Sequence, residues 1–273
     1  MSEDLIMFDR DTHVLKRNRA ALHFPNDNAI IYNAANNLIS RLDELKVGFS
    51  SILVIGYNSV VAKLLKKFLN VKLVVQTDIA EKMIKKAITE DALKDKQSLK
   101  IIADEEWLPF SEKSFDVIID FFTLHWINDL PGALLQIKRT LKPNGFFFAS
   151  FFGGETLMEL KQSIAEAEKK IESKITKRVS PFVDIRQAGS LLQRAGFSNP
   201  VVDKDNFAIK FHSVNDLMQT IRRIGETNTL NKRKTTFTRK ETFYELEKIY
   251  KKNFMSNDNQ INATIEILNI TAW

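Results

Sequence analysis

The sequence predicts an α/β fold: a doubly wound, mostly parallel seven-stranded sheet with a helical cap. Three observations carry that expectation. From about residue 50 to 152, short apolar runs alternate with amphipathic stretches at helical spacing, the pattern of a parallel sheet covered on both faces. Turn residues separate the runs, as in Pro143-Asn144-Gly145. Beyond residue 152, longer helical stretches lead to two more strand-like runs.

In chain order, the run SILVI at 51–55 reads as a buried strand, and VVAKLLKKFL at 60–69 as a helix. Strands are expected at 72–77, 99–103, 115–119 and 146–152, with helices at 79–88 and 131–141. Gly145 is expected to supply a positive φ in the turn before the fifth strand. A long helix is expected over 155–175, with Leu157, Leu160, Ile164, Ala167, Ile171 and Ile175 at three- and four-residue intervals. Helices follow at 185–195, stopped by Gly196, and at 215–224 and 240–254. Residues 201–211 read as a strand pair or one bent strand, and 263–273 as a closing strand. The chain divides into an N-terminal helical lid (1–45), an α/β core (46–153) and C-terminal helices and strands that complete the sheet and cap (154–273).

With 273 residues, 44% hydrophobic and 27% charged, the chain can bury one large core. It has no cysteine, which excludes disulfides, thiolate metal sites and cysteine nucleophiles together. Its four histidines lack ligand spacing, so no metal site is expected. No apolar run approaches the roughly 18–20 residues that span a bilayer, and the opening residues have no secretory pattern. A cytoplasmic protein is expected. Most of the net charge of +6 comes from the second half: residues 151–273 carry 20 basic and 15 acidic side chains. Without an aromatic-interleaved basic motif, nucleic acid is not an expected partner.

Ligands in such sheets bind beyond the carboxyl ends of the strands, so the residues there are the candidates. Asp78 follows the second strand, where an acid can take both hydroxyls of a ribose; it could equally cap the next helix. Asp104 follows the third strand, where it could accept from an adenine amino group, with Trp107 and Leu108 near the ring; the alternative is an exposed acidic turn. Phe121, Phe122, Leu124, His125 and Trp126 form an aromatic cluster after the fourth strand. His125 is the one weak catalytic candidate, since a histidine in such company is more often structural. Gly56, Asp78, Ile79, Asp104, Glu105 and Phe121 make up the expected cofactor-binding set.

The stretch ADEEWLPFSEKSFDVIIDFFTLHWINDLPGALLQIKRTLKPNGFFFASFFG resembles the second half of class I S-adenosylmethionine (SAM)-dependent methyltransferases, a Rossmann-like family. The segments MFDRDTHVLKRNRAA, HWINDLPGAL, FFGGETLMELK, SPFVDIRQAGSLLQRAGF and IGETN resemble, more narrowly, the mitochondrial complex I assembly factor 5 family and its alphaproteobacterial homologues. Malonyl-carrier-protein methyltransferases are a broader neighbour. The resemblance implies SAM as cofactor, with Asp78 on the ribose and Asp104 on the adenine. It also implies that Phe8-Asp9-Arg10 and Arg17 form part of a lid.

The first loop departs from that family. Its pattern is an acid followed by three alternating glycines, whereas this chain reads SILVIGYNSVV and keeps only Gly56. A bulky residue forced to φ > 0 is an outlier, and Tyr57 would project its ring toward the methionine part of the cofactor. Weakened cofactor binding is the expectation. Three functions stay open: methyl transfer to a small-molecule or protein acceptor; arginine hydroxylation on a respiratory complex I subunit, as the narrower family implies; and a non-catalytic binding or assembly role.

Overall fold

The computed structural model describes residues 6–23, 28–45, 47–90 and 92–273. Parts of the expected lid, residues 1–5 and 24–27, therefore lie outside the described residues, as do residues 46 and 91.

Seven strands form one sheet in the order β3-β2-β1-β4-β5-β7-β6. The first five are β1 (Ser51–Ile55), β2 (Leu73–Asp78), β3 (Gln97–Ile102), β4 (Phe115–Phe121) and β5 (Leu141–Phe152), and their pairings are parallel. β6 (Val201–Phe211) and β7 (Ile261–Ala272) complete the sheet, with β7 antiparallel to both β5 and β6. Residues 201–211 make one continuous strand rather than a pair. The run expected to close the sheet lies inside it, because β6 takes the edge.

Burial follows the two-residue period of a strand. In β1, Ile52 and Val54 face one core with the helices α2 (Ala29–Asp43), α6 (Met158–Glu172) and α9 (Lys240–Phe254). Leu53 and Ile55 face the other core, closed by α5 (Leu130–Thr140) and α7 (Ile185–Arg194). All five β1 residues are buried, as a central parallel strand requires.

Two local expectations are corrected. Pro143-Asn144-Gly145 lies within β5 instead of preceding it, and the positive φ there falls on Asn144 (62°), not on Gly145. Gly145 is needed for space, since a Cβ there would meet the backbone oxygens of Lys142 at 2.9 Å and Asp116 at 3.0 Å. The long helix is α6 alone, bounded by left-handed Leu157 and Ser173. Periodicity cannot see those two backbone reversals, and Ile175 beyond them is exposed.

The chain before the sheet reaches its far side. α1 (Arg10–Ala20) starts at Asp9, whose side chain accepts from the Thr12 N–H. Asn128 pins the entry: the Phe8 N–H donates to its Oδ1 (2.7 Å), and its Nδ2 donates back to the Phe8 carbonyl (3.1 Å). The Asp9 N–H donates to the Thr229 carbonyl (2.8 Å). Phe8, Trp126 and Leu230 form a small apolar cluster at this junction. α1 is thereby laid across the carboxyl ends of the strands.

Candidate functional site

β1 lies between β2 and β4, so the sheet reverses its winding there and a crevice forms beyond the strand ends. Gly56 is the first residue out of β1, with φ +81°. A Cβ on it would lie 2.5 Å from both the Phe121 carbonyl oxygen and Thr123 Cγ2. Gly56→Ala should therefore cost about 1–3 kcal/mol from backbone strain alone, read as a lower denaturant midpoint with unchanged slope.

The other loop positions need no glycine. Tyr57, Asn58 and Ser59 are absent from the positive-φ residues. Asn58 caps the short helix α3 (Ser59–Leu64) by accepting from the Val60 and Val61 N–H groups. The Tyr57 hydroxyl donates to Glu90 on α4 (Glu81–Glu90) at 2.7 Å. Burial, and then the hydrogen bond to Glu90, push its pKa upward. Backbone strain from the missing glycines is thus corrected: the loop keeps the one glycine its geometry requires.

Asp78 ends β2 and is almost fully buried. It accepts from the Tyr57 N–H (3.0 Å) and the Ala80 N–H (2.9 Å). Arg17 of α1 adds a forked contact, Nη2 to Oδ2 at 2.7 Å and Nε to both oxygens at 3.0–3.1 Å. Burial pulls the Arg17 pKa down most strongly, but the charge and hydrogen bonds of Asp78, with the charges of Glu226 and Glu105, together outweigh it and the guanidinium ends above its ordinary value. Arg10 makes a parallel contact one strand over, with Nη2 donating to Asp104 (2.6 Å) and Glu105 (2.7 Å) and Nη1 to the Trp126 carbonyl (3.0 Å). Burial raises the Glu105 pKa, and Arg10 opposes the rise.

The cleft shared by Gly56, Asp78, Ile79, Glu105, Arg17 and His13 has essentially no free volume in this closed arrangement. His13 is buried, its Nδ1 has no partner, and burial followed by the charges of Arg10 and Arg17 holds its pKa well below the usual value. Phe121 lines a neighbouring cleft of about 20 Å³ together with Tyr57, Asn58 and Phe122. Trp107, expected near an adenine, is 76% exposed, and Leu108 packs into the core under α5.

Asp120 is fully buried near the end of β4 and accepts from the Thr123 N–H and hydroxyl and the Leu124 N–H. Burial pushes its carboxyl up to about 7 despite those donors. The native protein then holds a proton that the unfolded chain has released. Its stabilising effect is complete below an unfolded value near 4 and lost as pH rises through about 7. Between those limits, wild type should lose stability relative to Asp120→Asn by up to about 1.4 kcal/mol per pH unit, measured by denaturant melts.

His125 does not stand free. Its side chain has no exposed surface, and Nε2 lies 2.8 Å from Glu226 Oε2. The Trp126 indole N–H donates to that same oxygen at 2.9 Å. Trp126 and Glu226 then line a cavity of about 540 Å³, whose walls include Leu157, Leu160, Ile164 and Phe182. Lys16, Arg178, Arg222, Arg233 and Lys234 also line it. Sequence reasoning gave Glu226 no role. The only signal was its place in IGETN, where Gly225 takes φ +84° with a Cβ position 3.1 Å from the Ala20 Cβ.

Sheet order, strand-end carboxylates and crevice define the class: by fold the chain is a class I methyltransferase-type protein. Residues 54–149 match the family described as a methyltransferase domain. Among solved structures, the YcgJ protein of Bacillus subtilis is similar with a TM-score of 0.60 and 14% identity, covering 88% of this chain and 97% of that one. A phosphoethanolamine N-methyltransferase 2 of Haemonchus contortus, in complex with SAM, is similar with a TM-score of 0.54 and 17% identity, over 88% of this chain and 52% of that one. At those identities the likeness is one of fold.

The particular relatives are nearer in sequence. The mouse protein named arginine-hydroxylase NDUFAF5, mitochondrial, is 38% identical over 198 residues, 72% of this chain and 56% of the relative. Its human counterpart is 36% identical over the same shares. A malonyl-[acyl-carrier protein] O-methyltransferase of Xylella fastidiosa is 35% identical over 63% of this chain and 56% of that protein. The chain thus spans little more than half the length of the curated relatives it matches. The mitochondrial naming of the first relatives overturns the expected cytoplasmic location. Lack of a secretory pattern cannot distinguish cytosol from an organelle. Among the described residues, no helix is long and apolar enough to cross a membrane.

SAM is the cofactor this fold and domain imply, and the residues fit it. Gly56 allows close backbone approach, and Asp78, Asp104 and Glu105 present carboxylates to hydrogen-bond donors. Those carboxylates already hold guanidinium donors of α1.

Proposed function

We propose that the protein is a SAM-dependent methyltransferase whose acceptor enters the cavity of about 540 Å³ beside Trp126 and Glu226. The observation that carries this reading is the set of strand-end carboxylates beside Gly56, all engaged by donors. Asp78 would hold the ribose and Asp104 with Glu105 the adenine, while Ile79 and Phe121 give apolar contact. When bound, the cofactor would supply a methyl group on a sulfonium, the C–S bonding pair leaving on sulfur as the acceptor's lone pair forms the new bond. The chain's part is positioning and exclusion of water. α1, pinned at Phe8 and Asp9, forms the lid, and its arginines leave the carboxylates when the cofactor enters.

Thermal unfolding with SAM and S-adenosylhomocysteine tests the reading. Ligand at a hundred times its Kd adds about 2.7 kcal/mol, a rise of about 5–10 °C for a chain of this size. No rise at millimolar ligand would refute it.

A second reading, arginine hydroxylation of a respiratory complex I subunit, is favoured by the identity to the proteins named arginine-hydroxylase. Among the described residues, no group of three or more His, Asp or Glu side chains is placed to hold a metal ion, so this reading draws on similarity alone. Mass-spectrometric gain of one oxygen on a subunit arginine, dependent on this protein, would support it.

A further inference from the structure

We infer that Glu226 is a catalytic residue that receives the acceptor, and that the acceptor is an amine bearing an anionic group. The inference rests on the methyltransferase reading and deepens it.

Glu226 is the one described residue on the walls of both the large cavity and the small cleft beside Tyr57, Asn58 and Phe121. It therefore stands where an acceptor in the first space meets the cofactor side of the second. One carboxylate oxygen, Oε2, is held by His125 and by the Trp126 indole N–H. Those contacts hold the Glu226 carboxylate against the turn that carries His125 and Trp126. The ammonium of the acceptor is assigned to the other oxygen, Oε1.

The surroundings select the partner. Among the described residues Glu226 is the only acid lining the large cavity, and the aromatic rings of Trp126 and Phe182 share its wall. A carboxylate beside aromatic rings attracts an ammonium through charge and ring quadrupole together. A carboxylate nucleophile would be repelled from that point. Among the described residues five basic side chains line the same cavity, and of these Arg178 pairs with Glu168, Arg233 with Asp9 and Lys234 with Glu172. Lys16 and Arg222 also border a second recess of about 170 Å³ with Arg19. A bare cation would be disfavoured by this field, whereas an amine with an anionic tail satisfies both ends. Glu226 pairs with the ammonium and takes its proton onto Oε1, which leaves the nitrogen lone pair free to form the bond to the methyl group.

The test uses indole N–H signals in ¹H–¹⁵N spectra of the full chain, with and without S-adenosylhomocysteine. The chain has three tryptophans, and the Trp126 signal is identified by its loss in Trp126→Phe. Titration with 4-aminobutyrate should shift that signal saturably, and butyrate should not. Glu226→Gln keeps an oxygen for the Trp126 bond but loses the charge, and should weaken 4-aminobutyrate by about tenfold to a hundredfold. Glu226→Asp keeps the charge and should retain binding. An unchanged affinity in Glu226→Gln, or an equal response to butyrate, overturns the inference. The Gly56 amide responds to S-adenosylhomocysteine independently, so failure of the cofactor reading shows there and not at Trp126.

Discussion

Asp78→Ala should abolish the thermal shift produced by SAM and leave a folded but weakened protein. Two effects converge on this side chain. Each hydrogen bond from a ribose hydroxyl to a charged acceptor is worth about 1.5–3 kcal/mol, so losing two lowers affinity by a hundredfold or more. The same substitution strands the buried Arg17 guanidinium, which sits 2.7 Å from Asp78. Removing one partner of a buried ion pair costs about 3–5 kcal/mol. The double variant Asp78→Ala with Arg17→Met should recover much of that stability without recovering the response to cofactor. A SAM shift of wild-type size in Asp78→Ala would remove this carboxylate from the cofactor site.

Arg17→Ala should behave in the opposite way toward the cofactor. It leaves Asp78 buried with only the Tyr57 and Ala80 N–H groups as donors. The protein without ligand therefore loses stability by the same mechanism, again about 3–5 kcal/mol. SAM repairs this defect, because its ribose hydroxyls take the place of the guanidinium. The shift on adding SAM should thus exceed that of wild type. Tighter binding is expected as well, since the cofactor no longer competes with an internal donor. Calorimetric titration beside the melts separates the two contributions. A weaker SAM affinity in Arg17→Ala would mean that the arginine contacts the bound cofactor instead of giving way to it.

The two variants share one cause. The strand-end acids are recognisable from their place after apolar runs, and Asp78 and Asp104 were legible on that ground. Their present partners were not. Arg10 and Arg17 lie 94 and 61 residues from Asp104 and Asp78, and nothing in a single sequence pairs side chains across such distances. The resemblance placed Arg17 over the site but did not say that it would hold Asp78. Glu226 was less legible still. It lies 101 residues beyond His125, in a turn whose only local mark is Gly225.

The first loop teaches the same point in reverse. Counting glycines suggested a damaged cofactor site, yet the requirement is conformational. Only Gly56 takes a positive φ and faces backbone at 2.5 Å. Asn58 turns the start of α3 with its own side chain, and Tyr57 is held by Glu90.

The order of strands and helices, the buried faces of β1 to β5 and the carboxylates at the strand ends were determined by the sequence alone. Local periodicity and apolar burial dictate them residue by residue. The lie of α1 across the crevice, the guanidinium on each carboxylate and the Glu226 carboxylate shared by His125 and Trp126 were decided only by tertiary structure. Such contacts depend on where distant segments meet, and packing of the whole sheet and its cap sets that meeting.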